Sequence, residues 1–182
     1  MGLLSYTELC ELVEQRVIDV PIEHINSSSI DVTFGDSIML EKISAIGLKV
    51  IDLSKKESPD MYEIRMDHAG FIIDPGRFFL ATTKETFNLP NDIVAEFVLK
   101  SSQARSGLFH ALAGYCDPGW HGSKLTMEFQ NVCRFHTLLI KPGMKCGQVK
   151  FYRVRPVPDH ASYAAVGQYN NQTSVTASKG IR

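Results

Sequence analysis

The stretch FFLATTKETFNLPNDIVAEFVLK, residues 78–100, sets two runs of β-branched and aromatic residues on either side of Leu-Pro-Asn-Asp. Val, Ile, Thr and Phe fit a pleated, half-buried surface, and Pro-Asn-Asp interrupts it. The reading is a strand over 78–89, a turn, and a strand over 93–100. Outward from it the same texture repeats. Strands are expected over 29–35 (SIDVTFG), 37–43 (SIMLEKI), 49–54 (KVIDLS), 62–67 (YEIRMD), 70–75 (GFIIDP), 124–131 (KLTMEFQN), 136–142 (HTLLIKP) and 146–154 (CGQVKFYRV). The segments FGDS, DPGR, LPND, DPGWHG and KPGMKCG punctuate them as turns. Many short strands at this spacing make an all-β sandwich or barrel.

Two flanking segments differ. SYTELCELVEQRV, residues 5–17, has its apolar residues at helical spacing, and Ser5 and Glu8 stand as a capping box. One N-terminal helix is expected. The tail from 159 to 182 is polar and small-residue rich. Alone it would be mobile, and it is expected to close over a ligand.

Composition narrows the function. The chain has 182 residues, 44% hydrophobic and 21% charged, which fits one domain over 1–182. A net charge of −1 gives no basic footprint, so no nucleic-acid partner is expected. No apolar run nears the roughly 20 residues that cross a bilayer, so no membrane partner is expected. The start carries acids where a secretion signal would be apolar, and a cytoplasmic protein is expected. MGLLSY carries only the weak Gly-and-Ser spacing of an acylation signal. The four cysteines include no C-x-x-C and are expected as inert thiols. The six histidines form neither H-x-E with P-C-x-x-C nor H-E-x-x-H, so no zinc site is expected, and no G-x-x-x-x-G-K-[ST] is present.

Three stretches carry possible chemistry, each with a plainer alternative. KSSQARSG, residues 100–107, follows an apolar strand with two hydroxyls, a Lys and an Arg. One helical turn puts Ser101 and Arg105 on one side, where they suit phosphate oxygens; the alternative is a solvated helix start. GYCDPGWHG, residues 114–122, is a tight turn that either packs Trp120 beneath a hairpin or sets Asp117 beside a ligand hydroxyl or water. In KLTMEFQN, alternation puts Leu125, Met127 and Phe129 on one face and Thr126, Glu128 and Gln130 on the other. That second face is either solvent-facing or presents Glu128 to a pocket as a general base.

In order along the chain, KSSQARSGL, GYCDPGWHG, LTMEF-N and PGMKCGQVKF resemble the dCTP deaminase family, relatives of the trimeric dUTPases. INSSSIDVTFGD is similar to the family's early segment, with Ser where Pro is usual. The resemblance implies an all-β, distorted β-barrel of the jelly-roll-like dUTPase (β-clip) fold, with an N-terminal helix and few short helices. It also implies a homotrimer with active sites shared between subunits. By the resemblance, Lys100, Ser101, Ser102 and Arg105 hold phosphate. Asp117 lies near the deoxyribose and, in the dUTPase branch, orients the water that cleaves phosphate. Glu128 is the deaminase base, Ala113 and Gly114 border the base pocket, and Tyr169 and Gln172 match a phosphate-binding Y-x-x-Q, with Tyr163 an earlier tyrosine. Two positions depart: Gln168 stands where the family has Lys, and Gly114 where it has Ala.

The activity so implied is hydrolysis of dCTP to dUTP and ammonia, without zinc and with Mg²⁺ carried on the triphosphate. Glu128 would take the water's proton and pass it to N3 and the leaving amine. Ser101 and carbonyl groups near Ala113 would orient the water, and Arg105 would hold Glu128 and the phosphates. The alternatives are dUTP diphosphatase activity, alone or combined to form dUMP with Asp117 as base, and a non-catalytic trimer binding dCTP or dTTP.

Overall fold

The computed structural model describes residues 2–45 and 47–180. In chain order the strands and helices are β1 (Gly2–Leu3), α1 (Tyr6–Glu14), β2 (Ile30–Glu41), β3 (Met61–Arg65), β4 (Phe71–Ile73), β5 (Phe78–Thr83), β6 (Phe87–Asn88) and β7 (Ile93–Leu99). They continue with α2 (Ser101–Arg105), β8 (Leu108–His110), β9 (Tyr115–Cys116), β10 (His121–Ser123), β11 (Thr126–Asn131), β12 (Leu138–Ile140), β13 (Lys145–Arg153) and α3 (Tyr163–Val166). The main sheet runs β8-β11-β5-β2-β13-β7-β9, with β1 added to β13 and β3 to β2; β10-β6 and β12-β4 form small ribbons. All pairings are antiparallel. No helix among the described residues is long and apolar enough to cross a membrane.

The sheet curls into a half-barrel because β2 serves two partners in succession. Its first residues pair with β13, from Ile30 to Thr33, and its later ones with β5, from Phe34 to Leu40. The two expected strands at 29–35 and 37–43 are therefore one, and FGDS is a bend within β2 rather than a turn. A register shift between Phe34 and Ile38 marks that bend. Gly35 sits in it, where a Cβ would lie 2.7 Å from Thr82 Cγ2 and 2.9 Å from Thr83 O. Only glycine lets the two backbones approach that closely.

The curl wraps an aromatic core. Phe34, Phe79 and Phe129 are fully buried, with ring centroids 5.4 Å (Phe34–Phe129) and 5.5 Å (Phe79–Phe129) apart. Leu9 and Leu12 of α1 join that core. The backbone N–H and hydroxyl of Ser5 donate to the Glu8 carboxylate at 2.9 and 2.7 Å, so the predicted cap forms. The helix stops at Arg16, which takes a left-handed φ of 57°. There Val17 N–H bonds Leu12 O, and Arg16 N–H bonds Val13 O, a Schellman ending.

One expectation fails locally. Residues 49–54 form no strand: Asp52 accepts from Ser54 N–H at 3.0 Å and starts a 3-10 turn at Leu53–Lys55. Leu48 and Val50 stand in solvent, so no sheet edge offers them a partner. The tail is held against the domain. Trp120 Nε1 donates to Tyr169 O (2.7 Å), Lys124 N–H to Gln172 O (2.7 Å) and Gln172 N–H to Ser123 Oγ (3.1 Å). Val175 is buried, and its N–H donates to Ser37 Oγ at 3.3 Å. Composition could not show this, because the partners lie in the segment 120–126 and in β2.

Candidate active site

Strand β11 alternates as its sequence requires: Met127, Phe129 and Asn131 point into the core, and Thr126, Glu128 and Gln130 point the other way. Pairing of Glu128 with Leu80 and of Thr126 with Thr82 sets that outer face beside β5. The tail crosses over it, with Thr176 N–H on Thr126 Oγ1 at 3.2 Å. Between them lies a cavity of about 500 Å³. Phe78, Leu80, Leu125 and Trp120 supply apolar wall; Asp117, Glu128, Lys124 and Gln172 supply polar groups. A few convergent polar groups in an apolar cavity of this size suit a nucleoside-sized ligand.

Six predicted residues meet here: Ala113, Asp117, Glu128, Tyr163, Tyr169 and Gln172 all line the cavity. They come from four places in the chain, brought together by β11, the Asp-Pro-Gly-Trp turn, the segment after β8, and the tail. In that turn Gly119 takes φ +86°, and Trp120 is buried with its ring 5.3 Å from Phe87. Packing of Trp120 and exposure of Asp117 are thus one arrangement, not two alternatives.

Lys100, Ser101, Ser102, Arg105 and Gly114 do not line it. Ser101, Ser102 and Arg105 stand exposed on α2. Lys100 Nζ instead reaches Asp31 Oδ1 at 2.6 Å, and Lys145 Nζ reaches Asp31 Oδ2 at 2.8 Å. Burial works to raise the pKa of Asp31, but hydrogen bonds from Lys100, Lys145 and Asn26 outweigh it and hold the carboxyl below its ordinary range. Gly114 is buried against Phe97, where a Cβ would lie 2.7 Å from the Phe97 Cβ.

Glu128 is the perturbed carboxylate. Burial pushes its pKa above the ordinary glutamate value, only partly opposed by its own backbone N–H. Its Oε2 is buried with no hydrogen-bond partner, and so is Gln172 Nε2. Buried polar atoms without partners at a cavity wall mark places where a ligand or water completes the bonding. Burial also raises the Tyr163 phenol, with the Asp117 charge a smaller contribution.

Two neighbours of the site escaped sequence reasoning. Lys179 sets its ammonium 5.0 Å over the Tyr169 ring and donates to Gln168 O at 2.6 Å. A cation therefore stands beside Gln168 after all, from a lysine whose separation in sequence gave no signal. His110 is the other: its Nε2 lies 3.9 Å from Glu128 Oε2. Among the described residues no group of three or more His, Cys, Asp and Glu side chains gathers.

Comparison with known proteins places the chain among relatives. The dCTP deaminase-like family matches residues 3–154. A protein named dCTP deaminase, dUMP-forming, from Dictyoglomus turgidum is 37% identical over 186 residues, which cover 97% of this chain and 94% of the relative. One of the same name from Persephonella marina is 32% identical over 182 residues, covering 97% and 96%. The crystal structure of 2'-deoxycytidine 5'-triphosphate deaminase from Agrobacterium tumefaciens aligns with a TM-score of 0.64 at 19% identity. That alignment covers 85% of this chain but 49% of the other, so this chain spans about half its length, and the likeness is one of fold. On the family match and the near full-length identities, the chain belongs to the dCTP deaminase-like family.

Proposed function

We propose that this protein hydrolyses dCTP, presented as its Mg²⁺ complex, to ammonia and dUMP with release of pyrophosphate. The observation that carries the proposal is Glu128, a carboxylate with a raised proton affinity opening onto an apolar cavity of about 500 Å³. Two waters are consumed. The first attacks C4 of cytosine as Glu128 takes its proton. Glu128 returns that proton to N3, and a further proton transfer lets the C4–N bond break and ammonia leave. The second attacks phosphorus and releases pyrophosphate; Asp117, exposed on its turn in the same cavity, is the base placed for that step. The names of the relatives from Dictyoglomus turgidum and Persephonella marina favour dUMP over dUTP as the end product. Glu128 supplies the proton transfers at the base from its side chain, so the deamination is proposed to need no protein-held metal.

The triphosphate needs more positive charge than the cavity offers, since among the described residues Lys124 is the only cationic side chain lining it. The hydroxyls and guanidinium of α2 stand exposed elsewhere on the chain. We infer that α2 serves the cavity of a neighbouring copy, in a homotrimer. The exposed apolar side chains of Ile43, Leu48 and Val50 support association.

The test is product analysis after incubation with Mg²⁺ and dCTP. Ammonia, dUMP and pyrophosphate are expected in equal amounts; dUTP as the end product would remove the second step. Glu128→Gln should cut ammonia release roughly a hundred- to ten-thousand-fold while nucleotide still binds; undiminished release refutes the base assignment. Mixing Glu128→Gln subunits with Arg105→Ala subunits should restore part of the activity, because some sites then combine an intact half from each. No recovery on subunit exchange would refute the shared site.

A further inference from the structure

Resting on the reading of Glu128 as the proton acceptor, we infer that His110 is a positioning residue that holds Glu128 Oε2 through its Nε2–H and leaves Oε1 to face the substrate water. His110 ends β8, opposite Phe129 of β11. Its side chain is 1% exposed, and its ring is fixed between Phe97 at 4.7 Å and Phe129 at 5.3 Å. The Leu112 N–H donates to His110 Nδ1 at 3.2 Å. A ring nitrogen that accepts carries no proton, so in the neutral ring the proton sits on Nε2.

That Nε2 is buried without a partner, and the atom before it, Glu128 Oε2 at 3.9 Å, is buried without a partner too. Leaving one such atom unpaired is costly; two that face each other and stop short by about 1 Å form an unclosed hydrogen bond. Apo hydrogen bonds of catalytic groups are often long and tighten in the complex. Among the described residues Glu128 is the only carboxylate within 4.0 Å of His110. The rings of Phe97 and Phe129 and the Leu112 N–H also pack on the imidazole.

Burial lowers the pKa of His110 to about 4, so the ring stays neutral through the working range and keeps its proton. It therefore acts as a fixed donor and not as a shuttle. Donation to Oε2 favours the carboxylate and orients it. The bond closes when Glu128 is ionised, ready to accept from water, and loosens when Glu128 holds the transferred proton.

The first test needs no activity. ¹⁵N NMR of the wild-type protein from about pH 5 to 9 should show His110 neutral with its proton on Nε2; the Nδ1–H tautomer, or a ring that titrates near 6.5, would overturn the proposal. The second follows the Glu128 carboxyl by ¹³C NMR. His110→Phe, which fills the space without a donor, should raise the Glu128 pKa by about one pH unit. His110→Gln, which keeps a side-chain N–H, should restore most of it. With dCTP, His110→Phe should lower kcat about tenfold with KM little changed and move the acid limb to higher pH, again with rescue by Gln. An unmoved Glu128 pKa and acid limb in His110→Phe would refute the role. If the protein does not deaminate at all, the base assignment falls, while the tautomer and carboxyl titrations still decide whether His110 holds Glu128.

Discussion

Replacing Gly114 by Ala should destabilise the protein. Gly114 does not use a left-handed φ, so alanine meets no backbone penalty. With room, Gly→Ala would stabilise by about 0.4–1 kcal/mol through the unfolded chain. There is no room: the new Cβ would lie 2.7 Å from Phe97 Cβ, 2.9 Å from Phe97 O and 3.2 Å from Phe97 Cα. None of these is the end of a flexible side chain. The Phe97 N–H also donates to Gly114 O at 2.8 Å, which clamps the two segments together. Carbon contacts prefer about 3.5–4 Å, so relief needs a backbone shift of the better part of an ångström. Overpacking of that kind costs about 1–3 kcal/mol. The net loss should be about 1–2 kcal/mol, or ~2–8 °C in melting temperature for a chain of this size. Differential scanning calorimetry measures it at equal subunit concentration, with Gly2→Ala as control, since nothing lies within 4 Å of that site. Because Phe97 packs on His110, deamination should fall in Gly114→Ala as well. An unchanged or raised melting temperature would show that the Phe97 backbone yields, and the packing argument would be wrong.

Two further outcomes are expected. His110 titrates at about 4 folded and near 6.5 unfolded, so between these values the unfolded chain binds the extra proton and stability falls as pH drops from 6.5 to 4. That gap is worth up to ~3 kcal/mol by pH 4; Glu128, whose folded pKa is raised, works in the opposite direction and offsets part of it. Urea unfolding across that range should be flatter in His110→Phe, and equal slopes would contradict the buried neutral ring. Arg16→Gly should raise stability by ~0.5–1 kcal/mol, since Arg16 holds φ 57° at the end of α1; a lower denaturation midpoint would show that the arginine side chain outweighs the strain.

The facing of the site's central strand was readable in one dimension because alternation has only two outcomes. Once Leu125, Met127 and Phe129 face the core, Glu128 must face away. Likewise Asp-Pro-Gly-Trp reads as a sharp turn, though that it exposes Asp117 and buries Trp120 at once was decided by the structure. The cap on α1 was legible for the same reason, being a contact between residues three apart.

Where a residue's meaning depends on a distant partner, the sequence was silent or misleading. FGDS reads as a turn until β2 is seen to bridge β13 and β5 through it. KVIDLS has strand composition but no neighbouring edge to pair with. Nothing in the sequence joins Lys100 to Asp31, a long way back in the chain, with which its ammonium pairs. By itself the sequence determined local conformation, strand facing and the order of the motifs, because these depend on near neighbours and on the two-residue repeat of a strand. Only the tertiary structure decided that six of those residues share one cavity, that α2 does not, and that a histidine stands behind the glutamate. Those are consequences of how the sheet curls, and curvature comes from pairings between residues that the chain keeps far apart.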